Sequence, residues 1–186
     1  MAFPRATTMA HQLVGERLLP GDFTIDATAG NGHDTLFLAK AVGPTGHVLA
    51  IDIQESAIEA ARLRCAEYQD IIDFKVADHS NLRRWINRET GAVMFNLGYL
   101  PSSDKTIITQ PESTLKAVVN ALESLRNGGI LTIAVYYGHP GGDVEAEAVS
   151  LFTQSLDQTR FTAIRYEFLN QKNNPPFLIA IERRDI

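Results

Sequence analysis

Cysteine is nearly absent from this sequence, which has a single one, Cys65, among its 186 residues. One cysteine excludes an intramolecular disulfide and a multi-cysteine zinc site, and its position in a predicted helix favours a packed thiol over a reactive one. We therefore expect no metal site. The sequence also lacks an apolar run near the roughly 18 residues that a membrane helix needs, and residues 1–14 lack the apolar core of a signal peptide. These absences indicate a protein of the reducing cytoplasm with no membrane partner.

An excess of positive charge is lacking too, because 17 lysines and arginines stand against 22 aspartates and glutamates and the net charge is -5. Non-specific affinity for nucleic acids comes mostly from clustered Lys and Arg, so this balance argues against a protein that coats nucleic acid. It does not exclude an enzyme that acts on nucleic acid. Three local groups of arginines could contact phosphates or lie on solvated edges. The first group is Arg83, Arg84 and Arg88, the second is Arg160 and Arg165, and the third is Arg183 and Arg184.

Short apolar or β-branched runs alternate with amphipathic stretches along the chain, which predicts a parallel sheet with helices on both faces. The seven candidate strands are residues 23–27, 48–53, 72–76, 92–95, 130–136, 161–169 and 177–181. A short polar link with prolines, residues 170–176, fits a hairpin better than a helical crossover, so the last two strands should be antiparallel. We expect one Rossmann-like α/β domain over residues 1–186, in which residues 1–20 form an N-terminal helical extension.

The clearest helix is predicted over residues 111–125. Its end signals are a capping box of Thr109 with Glu112 and a glycine stop at Gly128. Its apolar stripe consists of Leu115, Val118, Val119, Leu122 and Leu125. Such a stripe indicates a helix that covers one face of the sheet.

The first constellation of chemical interest is DATAGNGHDT at residues 26–35, where the first strand ends and a helix begins. In an open parallel sheet, ligands bind at the carboxyl ends of strands, and Gly30 and Gly32 would let the backbone come close to a ligand. Asp52 ends the second strand, where its carboxylate can accept hydrogen bonds from both ribose hydroxyls of an adenosine. Together these residues predict a site for a nucleotide-type cofactor.

Charge and shape separate two cofactor classes for this site. The NAD-binding pattern needs a third small residue where Thr35 stands, and a helix N-terminus that accepts a pyrophosphate. Four acidic residues at or just after strand ends would repel a diphosphate and suit a cofactor with a sulfonium and an ammonium group, and they are Asp26, Asp34, Asp52 and Asp78. The set favours a methyl donor over the alternative, a nicotinamide-dependent oxidoreductase, although Asp26 and Asp34 could individually cap the loop or helix.

Polar residues also follow the later strands. Asp78 and His79 come after the third strand, where the adenine would lie, and His79 could contact the base or cap the next helix. The sequence NLGYLP at residues 96–101 follows the fourth strand, where the methyl group would lie, so Asn96 and Tyr99 belong either to the transfer site or to a tight turn. YYGHPGG at residues 136–142 would shape the substrate side, and NQKNNPPF at residues 170–177 would line a nucleotide pocket or form a rigid turn.

The motifs DATAGNGHDT, IDIQ, FNLGYLP, YYGHPGG and NQKNNPPF occur here in the order found in a known family. The sequence resembles the bacterial tRNA 5-aminomethyl-2-thiouridine methyltransferases, a group also described as rRNA methylases. The resemblance implies a class I S-adenosylmethionine-dependent methyltransferase that methylates the aminomethyl nitrogen of the wobble uridine in the tRNA anticodon arm. It also implies that the cofactor is surrounded by Asn31, Asp52, Gln54, Asp78 and His79.

In the reaction that the resemblance implies, the substrate nitrogen attacks the donor methyl group in line, without a covalent enzyme intermediate. A free alkylamine has a pKa of roughly 10.4, so presenting it neutral at pH 7 costs about 4 to 5 kcal/mol, and alignment of the reactants can supply roughly 7 to 11 kcal/mol. We expect the proton to go to His139, Tyr99 or Asp104, in falling order of preference. Ribosomal RNA or a small-molecule amine is the alternative substrate, and an apolar edge strand or the N-terminal helix could support a homodimer.

Overall fold

The computed structural model describes residues 2–98, 110–138 and 141–185, and its centre is a seven-stranded sheet. The strands are β1 Phe23–Asp26, β2 His47–Asp52, β3 Ile72–Val76, β4 Thr90–Leu97, β5 Leu125–Val135, β6 Phe161–Tyr166 and β7 Phe177–Arg183. The helices are α1 Ala6–Gly15, α2 His33–Val42, α3 Glu55–Arg64, α4 Pro111–Ser124 and α5 Gly142–Gln154, with 3-10 helices at Ala66–Ile71 and His79–Arg84. Each predicted strand is present, although β5 begins earlier than expected.

The sheet has the strand order β3-β2-β1-β4-β5-β7-β6. The pairs β2–β3, β1–β2, β1–β4 and β4–β5 are parallel. β7 runs antiparallel to both of its neighbours, β5 and β6. The predicted parallel sheet with an antiparallel final strand is therefore confirmed, and the short link before β7 explains the reversal because it leaves no room for a crossover helix.

Helices cover both faces of the sheet, so the central strands are buried on both sides. In β4 the side chains alternate between two layers: Val93 and Phe95 pack in the cluster that includes α4 and α5. Ala92 and Met94 pack in the opposite cluster, with α1, α2 and α3. This period of two along a continuously apolar strand is what a doubly covered sheet requires.

The helix predicted over residues 111–125 ends at Ser124, and Leu125 already begins β5. Val118 and Leu122 are buried as predicted, but Val119 is exposed, and the buried face also includes small or polar residues outside the predicted stripe, namely Thr114, Ala117, Ala121 and Ser124. The N-cap residue is Gln110 instead of Thr109, which lies outside the described residues. Gly128 lies inside β5 at φ +68° and does not end the helix.

The N-terminal helix α1 packs against β5 and β7. At its start the Tyr166 hydroxyl donates a hydrogen bond to the Pro4 carbonyl at 2.7 Å. At its end Arg17 Nη2 donates to Glu182 Oε2 at 3.1 Å. Both bonds join α1 to the last two strands of the sheet, so the position of this helix depends on the C-terminal half of the chain.

The register of the parallel strands brings their carboxyl ends to one edge of the sheet. Asp26 at the end of β1 pairs with Ala50 of β2 and with Met94 of β4. The turn between β6 and β7 lies at the same edge, because Phe177 at the start of β7 pairs with Val135 at the end of β5. No helix in the described part of the chain is long and apolar enough to cross a membrane.

Candidate active site

A cleft of about 820 Å³ opens at this carboxyl edge of the sheet. Of the residues predicted from the sequence, those that line the cleft are Gly30, Asn31, Asp34, Asp52, Gln54, Asp78, His79 and Asn96. Residues that the sequence did not single out also line it, notably Thr7 and His11 of α1 and Ser113 of α4. The predicted proton acceptors His139, Tyr99 and Asp104 lie outside the described residues.

The two glycines of the loop after β1 have different functions. Both adopt positive φ, with +48° at Gly30 and +77° at Gly32. Only Gly30 lines the cleft. A Cβ on Gly32 would lie 2.7 Å from the Cα of Ala61, so this glycine lets α3 pack directly against the loop. The expectation that both glycines approach a ligand therefore applies to Gly30, while Gly32 fixes the loop from behind.

Asp52 joins the end of β2 to the glycine loop. Its Oδ2 accepts a hydrogen bond from the backbone N–H of Gly30 at 2.8 Å, and its Oδ1 accepts one from the backbone N–H of Gln54 at 2.9 Å. Each carboxylate oxygen can accept a second hydrogen bond. The side chain can thus position the loop and still accept from the two hydroxyls of a ribose.

Asp26 is fully buried behind the cleft instead of lining it. Its Oδ2 accepts from the Thr35 hydroxyl at 2.6 Å, and its Oδ1 accepts from the Thr28 N–H at 3.2 Å. Burial, together with the negative charge of Asp34, raises the pKa of Asp26 from 3.8 to about 8. Asp26 is therefore neutral at pH 7 and organises the loop without adding a charge to the site.

The free energy of unfolding is expected to fall as the pH rises from about 4 to 8, because Asp26 keeps its proton in the folded protein and loses it in the unfolded chain. Asp26→Asn imitates the protonated side chain and removes this contribution. The variant should gain stability over the wild type as the pH rises, which urea unfolding at pH 5, 6.5 and 8 measures. Parallel stability curves for the two proteins would contradict a raised pKa at this position.

Asp34 and Asn96 both line the cleft and contact each other. Asp34 is buried, and its Oδ2 accepts a hydrogen bond from Asn96 Nδ2 at 2.6 Å. The backbone N–H of Asn96 donates to the Thr28 hydroxyl at 2.7 Å, which fixes the end of β4 against the glycine loop. The residue assigned from the sequence to the cofactor and the residue assigned to the transfer step are thus in direct contact.

His11 is the third member of this group. Its Nε2 lies 2.6 Å from Asp34 Oδ1, and its ring stacks on Phe37 at a centroid distance of 4.1 Å. The sequence offered one signal for it, since Thr7 and His11 are four residues apart and so share one face of a helix. That signal could not indicate which surface the helix covers.

Asp78 and His79 lie just after β3, where the 3-10 helix His79–Arg84 begins. Asp78 Oδ1 accepts from the Ser80 N–H at 2.7 Å, so Asp78 rather than His79 caps the following 3-10 helix. Burial acts to raise the pKa of Asp78, but the hydrogen bonds from Ser80, together with the positive charge of Lys116, outweigh it and lower the pKa. Burial lowers the pKa of His79 despite the nearby carboxylates. His79 is therefore neutral, and its buried Nε2 has no hydrogen-bond partner among the described residues.

The two remaining predicted motifs each contribute to the cleft. From YYGHPGG, Tyr136 and Gly138 line it, and burial together with the charge of Asp34 raises the pKa of the Tyr136 hydroxyl. From NQKNNPPF, Asn174 lines it, in a turn where Asn173 and Asn174 adopt left-handed backbone angles. A residue of this turn therefore reaches the cleft, and its place in a nucleotide pocket stays a prediction.

A family model described as "Putative rRNA methylase" matches residues 48–182 of the chain. The chain belongs to this rRNA methylase family. A chloroplast protein of Arabidopsis thaliana, named tRNA (mnm(5)s(2)U34)-methyltransferase, is 35% identical to this methylase over 194 residues, which cover 97% of the chain and 70% of the relative.

Solved structures of similar proteins share the fold of this methylase. A protein from Clostridium thermocellum described as a "putative rRNA-methylase" is 39% identical, with a TM-score of 0.96 over 98% of this chain and 100% of that chain. A methyltransferase from Streptococcus mutans, solved in complex with SAH, is also 39% identical, with a TM-score of 0.88 over 98% and 99% of the two chains. The predictions of a class I methyltransferase fold and of an S-adenosylmethionine-dependent RNA methyltransferase are confirmed.

The cleft of the methylase fits S-adenosylmethionine in size, charge and hydrogen-bonding capacity. Its volume of about 820 Å³ lies within the usual range for small-molecule sites. Asp34 and Asp52 line the cleft, and their carboxylates would complement the positive sulfonium and the ammonium group of the cofactor. His79 lines the same cleft, and its buried Nε2 has no hydrogen-bond partner among the described residues, although buried polar atoms normally have one, so a nitrogen base could supply it.

Proposed function

We propose that this methylase transfers a methyl group to the aminomethyl nitrogen of 5-aminomethyl-2-thiouridine at the wobble position of tRNA. The observation that carries the proposal is the bond between Asn96 Nδ2 and Asp34 Oδ2. A carboxylate can only accept, so it holds the amide nitrogen and leaves the amide oxygen of Asn96 as an acceptor in the cleft. An acceptor at the end of β4 suits an amine substrate.

The residues of the cleft have separate parts in this proposal. When bound, S-adenosylmethionine supplies an activated methyl group on a sulfonium sulfur. Asp52 binds the ribose, Asp78 and His79 bind the adenine, and the loop at Gly30 and Asn31 holds the methionine part. Asn96 orients the substrate nitrogen, and approximation of the reactants in the cleft supplies most of the rate enhancement.

The RNA partner is the anticodon arm of tRNA. The half-exposed ring of Tyr136 lies at the cleft and can stack on an extruded base. Exposed arginines at Arg83, Arg84 and Arg88 can contact phosphates outside the cleft. Ribosomal RNA remains the second candidate substrate, because the family is described by that activity. The single-domain organisation, the cytoplasmic location and the homodimer stay predictions.

A methyl-transfer assay tests the substrate directly. The purified protein is incubated with labelled S-adenosylmethionine and bulk tRNA from cells that lack it, and the nucleosides are analysed by mass spectrometry. We expect 5-methylaminomethyl-2-thiouridine to appear at the expense of 5-aminomethyl-2-thiouridine. Labelling of ribosomal RNA or of a free amine, with none in tRNA, would contradict the proposed substrate and leave the methyltransferase assignment intact.

A further inference from the structure

The N-terminal helix brings a titratable side chain to the point where the substrate amine is expected. Thr7 and His11 lie one turn apart on α1, and both line the cleft. The side chain of His11 is about one third exposed, at 33%, so its ring is accessible from the cleft. Stacking on Phe37, with an interplanar angle of 4°, holds the ring in one orientation.

The contact with Asp34 selects the tautomer of His11. Asp34 already accepts from Asn96 at Oδ2, and its Oδ1 lies 2.6 Å from His11 Nε2. A carboxylate oxygen needs a donor, so Nε2 carries a proton in the neutral ring and Nδ1 carries the lone pair. A carboxylate that orients a histidine and stabilises its charged form is the arrangement by which other enzymes prepare a general base.

We propose that His11 accepts the proton that the substrate ammonium loses before methylation. This inference rests on the proposed amine substrate. One proton moves from the R–NH₃⁺ group to Nδ1 of His11, which leaves a neutral amine with a free electron pair and an imidazolium whose Nε2–H donates to Asp34. The amine nitrogen then bonds to the methyl carbon while the carbon–sulfur bond breaks and its electron pair stays on sulfur. His11 afterwards releases its proton to solvent.

The position of Asp34 joins the two parts of this step. One oxygen of Asp34 accepts a hydrogen bond from the amide of Asn96, the residue that orients the substrate amine. The other oxygen holds His11, the proton acceptor. The same carboxylate therefore positions both the group that orients the proton donor and the group that accepts the proton. The titratable groups among the described residues that line the cleft with His11 are Asp34 and His33 of α2, Tyr136 after β5, Asp52 at the end of β2, and Asp78 and His79 after β3. The other charged groups that contact α1, from β5 and β7, lie at its far end around Arg17, and they are Arg126 and Glu182.

The test variant is His11→Gln, because glutamine can donate to Asp34 and cannot take up a proton. Single-turnover methylation of tRNA with 5-aminomethyl-2-thiouridine is measured at saturating S-adenosylmethionine between pH 7 and pH 9. We expect a rate loss of about a hundredfold at pH 7, the usual contribution of a general base. The loss should shrink by at least about tenfold at pH 9, because the neutral fraction of an amine with a pKa near 10.4 rises roughly a hundredfold over this range. The dissociation constant of the variant for S-adenosylmethionine should stay within a factor of about two of the wild-type value.

Two further variants separate proton transfer from a structural effect. Tyr166→Phe removes the bond to Pro4 and loosens α1 without touching the cleft, so any rate loss should be equal at pH 7 and pH 9. His11→Ala should regain rate at pH 7 when imidazole is added, which a merely structural histidine would not allow.

The outcomes distinguish the inference from the function on which it rests. The role of His11 would be overturned if the rate loss in His11→Gln were the same at every pH and imidazole did not rescue His11→Ala. In that case a wild-type protein that methylates 5-aminomethyl-2-thiouridine would still support the proposed substrate. A wild type that methylates no 5-aminomethyl-2-thiouridine would overturn both.

Discussion

Asp52→Ala is expected to lower the affinity for S-adenosylmethionine by at least about a hundredfold, because two charge-assisted hydrogen bonds to a ribose contribute about 1.5 to 3 kcal/mol each. The variant also frees the N–H groups of Gly30 and Gln54, which Asp52 holds at 2.8 and 2.9 Å, so the glycine loop loses its attachment to β2. Isothermal titration with the cofactor and with S-adenosylhomocysteine measures the change.

Asp73→Ala is the matched control for this experiment. Asp73 lies on the neighbouring strand β3, is exposed, and contacts His47 at 3.2 Å near the opposite edge of the sheet. Its replacement should leave cofactor affinity unchanged. If the dissociation constant of Asp52→Ala for the cofactor stayed within a factor of about ten of the wild-type value, Asp52 would contribute less binding free energy than one charge-assisted hydrogen bond, and the proposed binding of the ribose would be contradicted.

The second large effect is expected for Gly32→Ala. A left-handed backbone costs a residue with a side chain about 1 to 2 kcal/mol, and overpacking adds roughly 1 to 3 kcal/mol. The added Cβ meets the backbone of Ala61 at 2.7 Å, so relief requires a shift of α3 rather than a change of rotamer. We expect the free energy of unfolding to fall by the sum of both terms, and cofactor affinity to fall with it. Urea unfolding and titration measure the two effects.

Gly128→Ala separates the two contributions. Gly128 has a similar φ of +68°, but a Cβ there would only touch the side-chain ends of Arg126 and Asp185 at 3.7 Å. This variant should show the backbone term alone and bind the cofactor normally. Equal destabilisation by the two substitutions would refute the tight contact between the glycine loop and α3.

The sheet could be predicted from the sequence because its strands are short apolar runs separated by polar loops, a pattern that few other structures produce. The ends of β5 could not, since Leu125 continues the helical pattern and its change to a strand depends on pairing with Thr90 of β4. The buried face of α4 could not be predicted correctly for a similar reason. Thr114 is buried, and its hydroxyl donates a hydrogen bond at 2.7 Å to Glu145, which lies 31 residues away in the sequence. The sequence pattern of the helix alone therefore predicts a buried face too close to Val119.

The residues of the candidate site also differ in whether the sequence could predict their positions. Asp52 and Asn96 lie at the carboxyl ends of β2 and β4, and Asp34 lies in the first turn of the helix after β1, so their convergence at one edge could be foreseen from the topology. The burial of Asp26 and the packing function of Gly32 could not, because they depend on how closely α2 and α3 approach the loop. His11 was missed altogether, since its contact with Asp34 depends on where α1 docks.

The anchoring of α1 also bears on how the protein folds. Its two end contacts, from Pro4 to Tyr166 and from Arg17 to Glu182, span 162 and 165 residues of the chain. Contacts of such long sequence separation form slowly, because the entropy of closing the intervening loop is lost before they can stabilise anything. During synthesis the glycine loop and the strands around it emerge well before β7 does. Helix α1 therefore leaves the ribosome before β7 but docks only after β7 has emerged, and the contact between His11 and Asp34 forms only then.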